Sequence, residues 1–145
     1  MRIEKLSVNQ RNSVILESFN KDGIAAVFGS SGGIGTAILK TLNSSGYFKN
    51  VFGFSRVSSY SIDLTDETSL KRAVDVCTDV GEIRLVIDAT GFLHSEGQGP
   101  EKTWRELNVD QLTRAFAVNA IGPALLMKHV LPHLPRSGKA VFATL

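Results

Sequence analysis

The stretch Ile24-Ala25-Ala26-Val27-Phe28-Gly29-Ser30-Ser31-Gly32-Gly33-Ile34-Gly35 decides the fold class of this chain of 145 residues. Apolar residues 24 to 28 have the length of a buried strand, and they run straight into a turn that holds four glycines. The helix-forming residues Ala37, Ile38, Leu39, Lys40, Thr41 and Leu42 come next, so the order is strand, glycine turn, helix. Glycine tolerates positive φ and lets another atom approach the backbone closely. The first turn of the helix presents N–H groups without intrahelical partners at its positive dipole end. An anionic phosphate fits there, and the buried strand before the turn with the helix after it favours a nucleotide site over a plain connector.

Working outward, residues 51–54 read as a second strand that closes in Ser55 and Arg56, and residues 60–62 as a short third one. Thr65 or Asp66 caps the next helix, whose apolar face is Leu70, Ala73, Cys77 and Val80. Residues 85–89 form a fourth strand ending in Thr90 and Gly91. A polar loop with one helical turn near Trp104 follows. Asp110 caps a long helix reaching about Leu134, with Leu112, Phe116, Asn119, Pro123, Leu126, Val130 and Leu134 along one stripe, and residues 139–145 give a fifth strand. Strands alternating with helices call for a parallel, doubly wound α/β sheet of Rossmann type in the order 3-2-1-4-5. The first strand then lies at the switch point where ligands bind. Residues 1–22 read as an arm before a single nucleotide-binding domain of residues 23–145.

Composition narrows the function classes. With 43% hydrophobic and 21% charged residues the chain is that of an ordinary globular protein, and its size allows one sizeable core. The formal net charge is only +2, and Lys and Arg are scattered without a basic run, which argues against a nucleic-acid partner. The charged first residues lack a signal-peptide core. No run of about 20 consecutive apolar residues occurs, so no membrane partner is expected. The single cysteine, Cys77, excludes an intrachain disulfide and suits a reducing cytoplasm. His129 and His133 are four apart, but no third ligand accompanies them and no metal site is expected.

Two further positions bear on chemistry. Asn119 lies within an apolar stripe, where its amide needs hydrogen-bond partners, so something polar should face it. Pro123, four residues on, has no N–H for the Asn119 carbonyl, which is thereby freed where the helix should kink. Arg56 stands about 20 residues after the last glycine, where dinucleotide folds place an acid for the ribose hydroxyls. Ser55 and Arg56 replace that acid. A guanidinium binds a 2′-phosphate that a carboxylate would repel, so NADP(H) is favoured over NAD(H).

Taken together, these residues resemble the short-chain dehydrogenase/reductase superfamily, most closely its C-factor-like members. The family turn T-G-x-x-x-G-x-G matches Gly29, Gly33 and Gly35, with Phe28 in place of threonine; Gly32 also allows the G-x-x-G-x-x-G spacing of the extended epimerase branch. Asp63 and Leu64 match the family's adenine-ring pair, and Asp88-Ala89-Thr90-Gly91 stands in place of N-N-A-G. Asn119 falls at the family's fourth-helix asparagine. The resemblance covers residues 23–145. It implies a cofactor site of Gly29, Ser30, Ser31, Gly32, Gly33, Ile34, Gly35, Ser55, Arg56, Asp63, Leu64, Ala89, Thr90 and Gly91. It also implies hydride transfer between a nicotinamide and a small carbonyl or alcohol, with the main-chain carbonyl of Asn119 supporting a water relay to the family's lysine.

The family's serine and Y-x-x-x-K would come after Leu145, and neither Tyr47 nor Tyr60 has a lysine four residues on. The expectation is therefore the cofactor-binding portion of an NADP(H)-dependent oxidoreductase, itself without the proton-transfer groups. A non-catalytic dinucleotide sensor is the alternative, and an epimerase relative, which would take NAD, a third that Arg56 disfavours. An incomplete sheet leaves the fifth strand's edge open and uncovers the helix face around Phe116 and Val130, so self-association is expected.

Overall fold

The computed structural model describes residues 16–94 and 99–145. Its elements are β1 (Ile24–Phe28), α1 (Gly33–Ser45), β2 (Asn50–Phe54), α2 (Glu67–Thr78) and β3 (Ile83–Asp88). They continue with α3 (Val109–Phe116), a π-type turn (Ala117–Ile121), α4 (Gly122–Val130) and β4 (Val141–Thr144). The strands are all parallel and lie in the order β2-β1-β3-β4, with β1 and β3 in the middle. This is the expected Rossmann-type sheet with one strand fewer. Residues 60–62 contribute a single bridge, Ser55 to Ser61, because Tyr60 is exposed and the turn at Asp63 follows too soon for a ladder.

β1 is buried along its whole length, as a central parallel strand covered on both faces must be. Ile24, Ala26 and Phe28 point to one face and meet Leu70, Ala73, Val74 and Cys77 of α2 and Leu126 and Val130 of α4. Ala25 and Val27 point to the other and meet Leu42 of α1. Phe28 stacks on Phe54 with ring centroids 4.9 Å apart, tying β1 to β2 beside the turn. Cys77 is core: burial pushes its thiol up to about 12, so it holds its proton in the folded protein. The expected arm lies largely outside the described residues, but its end packs Leu16 and Phe19 into the second cluster. The loop before β4 is pinned by the buried Arg84, whose Nη1 donates to the Ser137 carbonyl at 2.6 Å.

Helix boundaries differ from the expected ones at α1 and α3 and agree at α2. α1 opens at Gly33, four residues before Ala37, and ends on Gly46 at φ 59°. Asp66 caps α2, accepting from the Thr68 N–H. Asn108, not Asp110, caps α3, accepting from the N–H groups of Asp110 and Gln111.

The long helix departs from its expected stripe. The Gly122 N–H donates to the Ala117 carbonyl, five residues back, and this wide turn lies immediately before Pro123. One extra residue in a turn rotates everything on its far side by about a residue's worth of helix, roughly 100°. A stripe of buried or half-buried positions therefore runs through Gln111, Ala115, Val118, Gly122, Leu126 and Val130, with Ala117, Pro123, Leu125 and His129 half-buried beside it. Leu112, Phe116 and Asn119 are exposed, whereas Leu126 and Val130 keep their expected burial. Phe116 is thus uncovered, whereas Val130 itself is buried. By length and composition Val109–His133 could also cross a membrane, yet Leu126 and Val130 are core residues and a Cβ on Gly122 would press on Leu64 at 2.7 Å.

Candidate functional site

The C-terminal ends of β1, β2 and β3 open into a cleft of about 440 Å³. Gly29 leaves β1 at φ 77°, a conformation natural to glycine, and a Cβ there would lie 2.6 Å from the Ala89 carbonyl oxygen. Gly35 is equally constrained, since its Cβ would meet the Gly29 carbonyl oxygen at 2.1 Å. Gly33 differs, with nothing within 4 Å of a Cβ. The turn is fastened by the N–H groups of Gly29 and Ser30, both donating to the Phe54 carbonyl, and by Thr36 Oγ1, donating to the Ser30 carbonyl at 2.8 Å. No side chain caps α1 at Gly32 and its first turn has no acid, which suits a bound anion.

Beyond β2 the chain turns sharply at Ser55, whose carbonyl accepts from the N–H of Ile62 at 3.1 Å and of Ser58 at 3.4 Å. This turn presents Arg56. Asp63 Oδ1 accepts from the Thr65 N–H at 2.8 Å and from Thr65 Oγ1 at 2.7 Å. The Thr65 hydroxyl, then its N–H, and more weakly Arg56 and Arg114 hold the Asp63 carboxyl below the usual carboxylate range, so it is an acceptor at neutral pH. Leu64 is buried beside it.

The turn after β3 is held by side chains. Asp88 is fully buried; its Oδ1 accepts from the N–H and hydroxyl of Thr90, and its Oδ2 from Thr144 Oγ1 at 3.2 Å. Asn119 reaches across from the π-type turn, accepting from the Phe92 N–H and donating to the Phe92 carbonyl, each at 2.7 Å. The polar partner expected for Asn119 is thus main chain, although the side chain is exposed and not set within a buried stripe.

Of the sequence-predicted residues, Gly29, Ser31, Gly32, Ser55, Arg56, Asp63, Leu64, Ala89, Thr90 and Gly91 line the one cleft. Ser30, Gly33, Ile34 and Gly35 belong to the turn and the opening of α1 beneath it, and Ile34 is 63% exposed. Asn119 lines an adjoining hollow with Thr90, Gly91, Phe92, Leu93, Pro123 and Leu145. Sequence reasoning missed Ile62, Thr65, Phe92, Arg114 and Val118 in the cleft wall. Thr65 was legible as the second residue after an aspartate, the spacing of an Asx turn. Arg114 of α3 and Val118 of the π-type turn depend on the phase of the long helix, which periodicity misplaced.

His129 Nε2 lies 2.8 Å from Glu67 Oε1, and Lys128 pairs with the same oxygen, so these residues brace α4 against α2. Lys128 first, then His129, lowers the Glu67 carboxyl. Among the described residues no group of three metal-ligating side chains is present.

Residues 48–145 match the model of a family described as enoyl-(acyl carrier protein) reductase. Among curated proteins none matches the chain. Among solved structures, a Serratia marcescens short-chain dehydrogenase/reductase double mutant is 26% identical, with a TM-score of 0.66 over 81% of this chain and 54% of its own. A small-chain dehydrogenase in complex with NADPH is 25% identical, with a TM-score of 0.65 over 81% of this chain and 48% of its own. A dehydrogenase/reductase from Sinorhizobium meliloti shares the fold at 20% identity, with a TM-score of 0.69 over 87% and 55%. The chain therefore spans about half the length of the structures it matches.

Proposed function

The chain belongs to the short-chain dehydrogenase/reductase family, and on that premise we propose that its cleft is the NADP(H)-binding half of an oxidoreductase acting on a small carbonyl or alcohol. The observation that carries this reading is the convergence on one cleft of the glycine turn, Arg56, the Asp63–Leu64 pair and the Ala89 to Gly91 turn. The diphosphate would sit at the opening of α1, where space above Gly33 leaves the backbone approachable. Asp63 and Leu64 would take the adenine, and Arg56 the 2′-phosphate. Bound NADP(H) supplies hydride transfer to or from the substrate carbon. This chain's residues bind and orient it, and Asn119 keeps the turn after β3 in place through Phe92.

Within residues 1–145 neither tyrosine is followed four residues later by lysine, so these residues supply cofactor binding and not the family's proton donor. The reading is supported by the NADPH complex among the similar structures. Titration of NADPH and NADH against the chain tests it. NADPH is expected to bind more tightly, and Arg56→Ala to remove the difference at a cost of about tenfold in NADPH affinity. Equal affinities for the two cofactors in the unaltered chain would sink the 2′-phosphate assignment.

We also propose that the chain self-associates through the outer edge of β4, which no other strand among the described residues pairs, and the exposed face of α3 that carries Phe116, 65% exposed. Sedimentation showing a monodisperse monomer at about 100 µM counts against it, since uncovered edges and apolar faces associate at such concentrations.

A further inference from the structure

Arg114 lines the cleft without a part in the cofactor reading above. Its guanidinium carbon stands 5.0 Å from the centroid of the Phe92 ring, and the main chain of Phe92 is clamped on both sides by Asn119. Stacking of this kind gives a long cationic side chain a preferred seat on the cleft wall.

The charge count gives that seat a consequence. Among the described residues, the charged ones lining the cleft are Arg56, Asp63 and Arg114. Arg56 and Asp63 cancel to first order, and Oδ1 of that carboxylate already accepts from Thr65. The surplus positive charge of the lining is therefore the one Arg114 brings. NADP(H) differs from NAD(H) by a single phosphate on the adenosine ribose, a group bearing between one and two negative charges at neutral pH. One arginine beside a carboxylate matches that charge poorly, whereas two arginines about one carboxylate leave a net cation to meet it.

We propose that Arg114 is a second specificity-determining residue for the 2′-phosphorylated dinucleotide, acting with Arg56 at the adenosine end of the cleft. The inference rests on the NADP(H) reading of that cleft. Its competitor is a packing role, in which Arg114 only steadies Phe92. A packing role weakens every ligand alike, while a charge role is felt only by the phosphorylated one.

Calorimetric titration of 2′,5′-ADP and of 5′-ADP against the unaltered chain, Arg114→Ala, Arg114→Gln and Arg114→Lys separates them. Arg114→Ala is expected to weaken 2′,5′-ADP about tenfold and 5′-ADP less than about twofold. Arg114→Lys should restore most of the loss, and added salt should erode 2′,5′-ADP binding less in Arg114→Ala than in the unaltered chain. Arg114→Gln keeps a stem over Phe92 and removes only the charge, so it carries the same comparison if Arg114→Ala lowers the melting temperature. Equal weakening of both ligands, or no change in either, overturns the role of Arg114. The cofactor reading then still stands, provided the unaltered chain prefers 2′,5′-ADP. An unaltered chain that binds neither ligand overturns both.

Discussion

Two turns meet at the mouth of the cleft and are built by opposite means. The turn after β1 works by missing side chains: Gly29 and Gly35 admit the Ala89 and Gly29 carbonyl oxygens where a Cβ would stand 2.6 and 2.1 Å away. The turn after β3 works by added ones, with Asp88 holding Thr90 and Asn119 holding Phe92. Contact distance limits the first and hydrogen-bond geometry the second. A substitution in the first should therefore act through overlap, and one in the second through polar groups left without partners.

The largest effect is expected at Gly35. Its surroundings are main chain that cannot swing aside, so Gly35→Ala should cost about 3 kcal/mol or more, read as a drop in the denaturation midpoint. A midpoint within error of the unaltered protein would mean that the turn is softer than its contacts indicate. Asp88→Ala comes next, at about 2 kcal/mol, because it takes the acceptor from the N–H and hydroxyl of the half-buried Thr90 and leaves a hole where a fully buried side chain stood. Asp88→Asn keeps an acceptor oxygen for Thr90 and should lose less than half as much; equal losses would assign the effect to charge and not to the hydrogen bonds. Gly33→Ala is the smallest in stability and the sharpest in meaning. With open space around the new methyl group, the chain should gain about 0.5 kcal/mol in stability from the better helix former. Its NADPH affinity should nevertheless fall, and unchanged affinity would remove the diphosphate from the opening of α1.

The same contrast explains what the sequence made legible. A glycine requirement is local: Gly29, Gly32, Gly33 and Gly35 can be recognised between an apolar run and a helix without knowing what lies opposite. Parallel order could be read as well, because β1 is apolar at every position and the helices between strands leave crossovers as the connection. The third expected strand failed for a local reason that was also present, since Asp63 with Thr65 builds a turn too close behind residues 60–62. The stripe on the long helix failed for a reason that was only half visible. Pro123 announced a disturbance, but a kink preserves the phase of a helix while a π-type turn shifts it, and this one moved the buried face from Leu112 and Phe116 to Gln111 and Ala115. Arg114 and Val118 entered the cleft by that shift.

The pair of hydrogen bonds between Asn119 and Phe92 has a consequence of its own. A side-chain amide offers a carbonyl and an N–H side by side, as a peptide unit does. By accepting from the N–H and donating to the carbonyl of one residue, Asn119 serves Phe92 as a neighbouring strand would. The ladder of β3 ends at Asp88, yet four residues later the chain is paired once more, by a helix imitating a strand. In hydrogen exchange, the Phe92 amide should then show a protection factor typical of the sheet, well above that of its loop neighbours, and Asn119→Ala should return it to theirs.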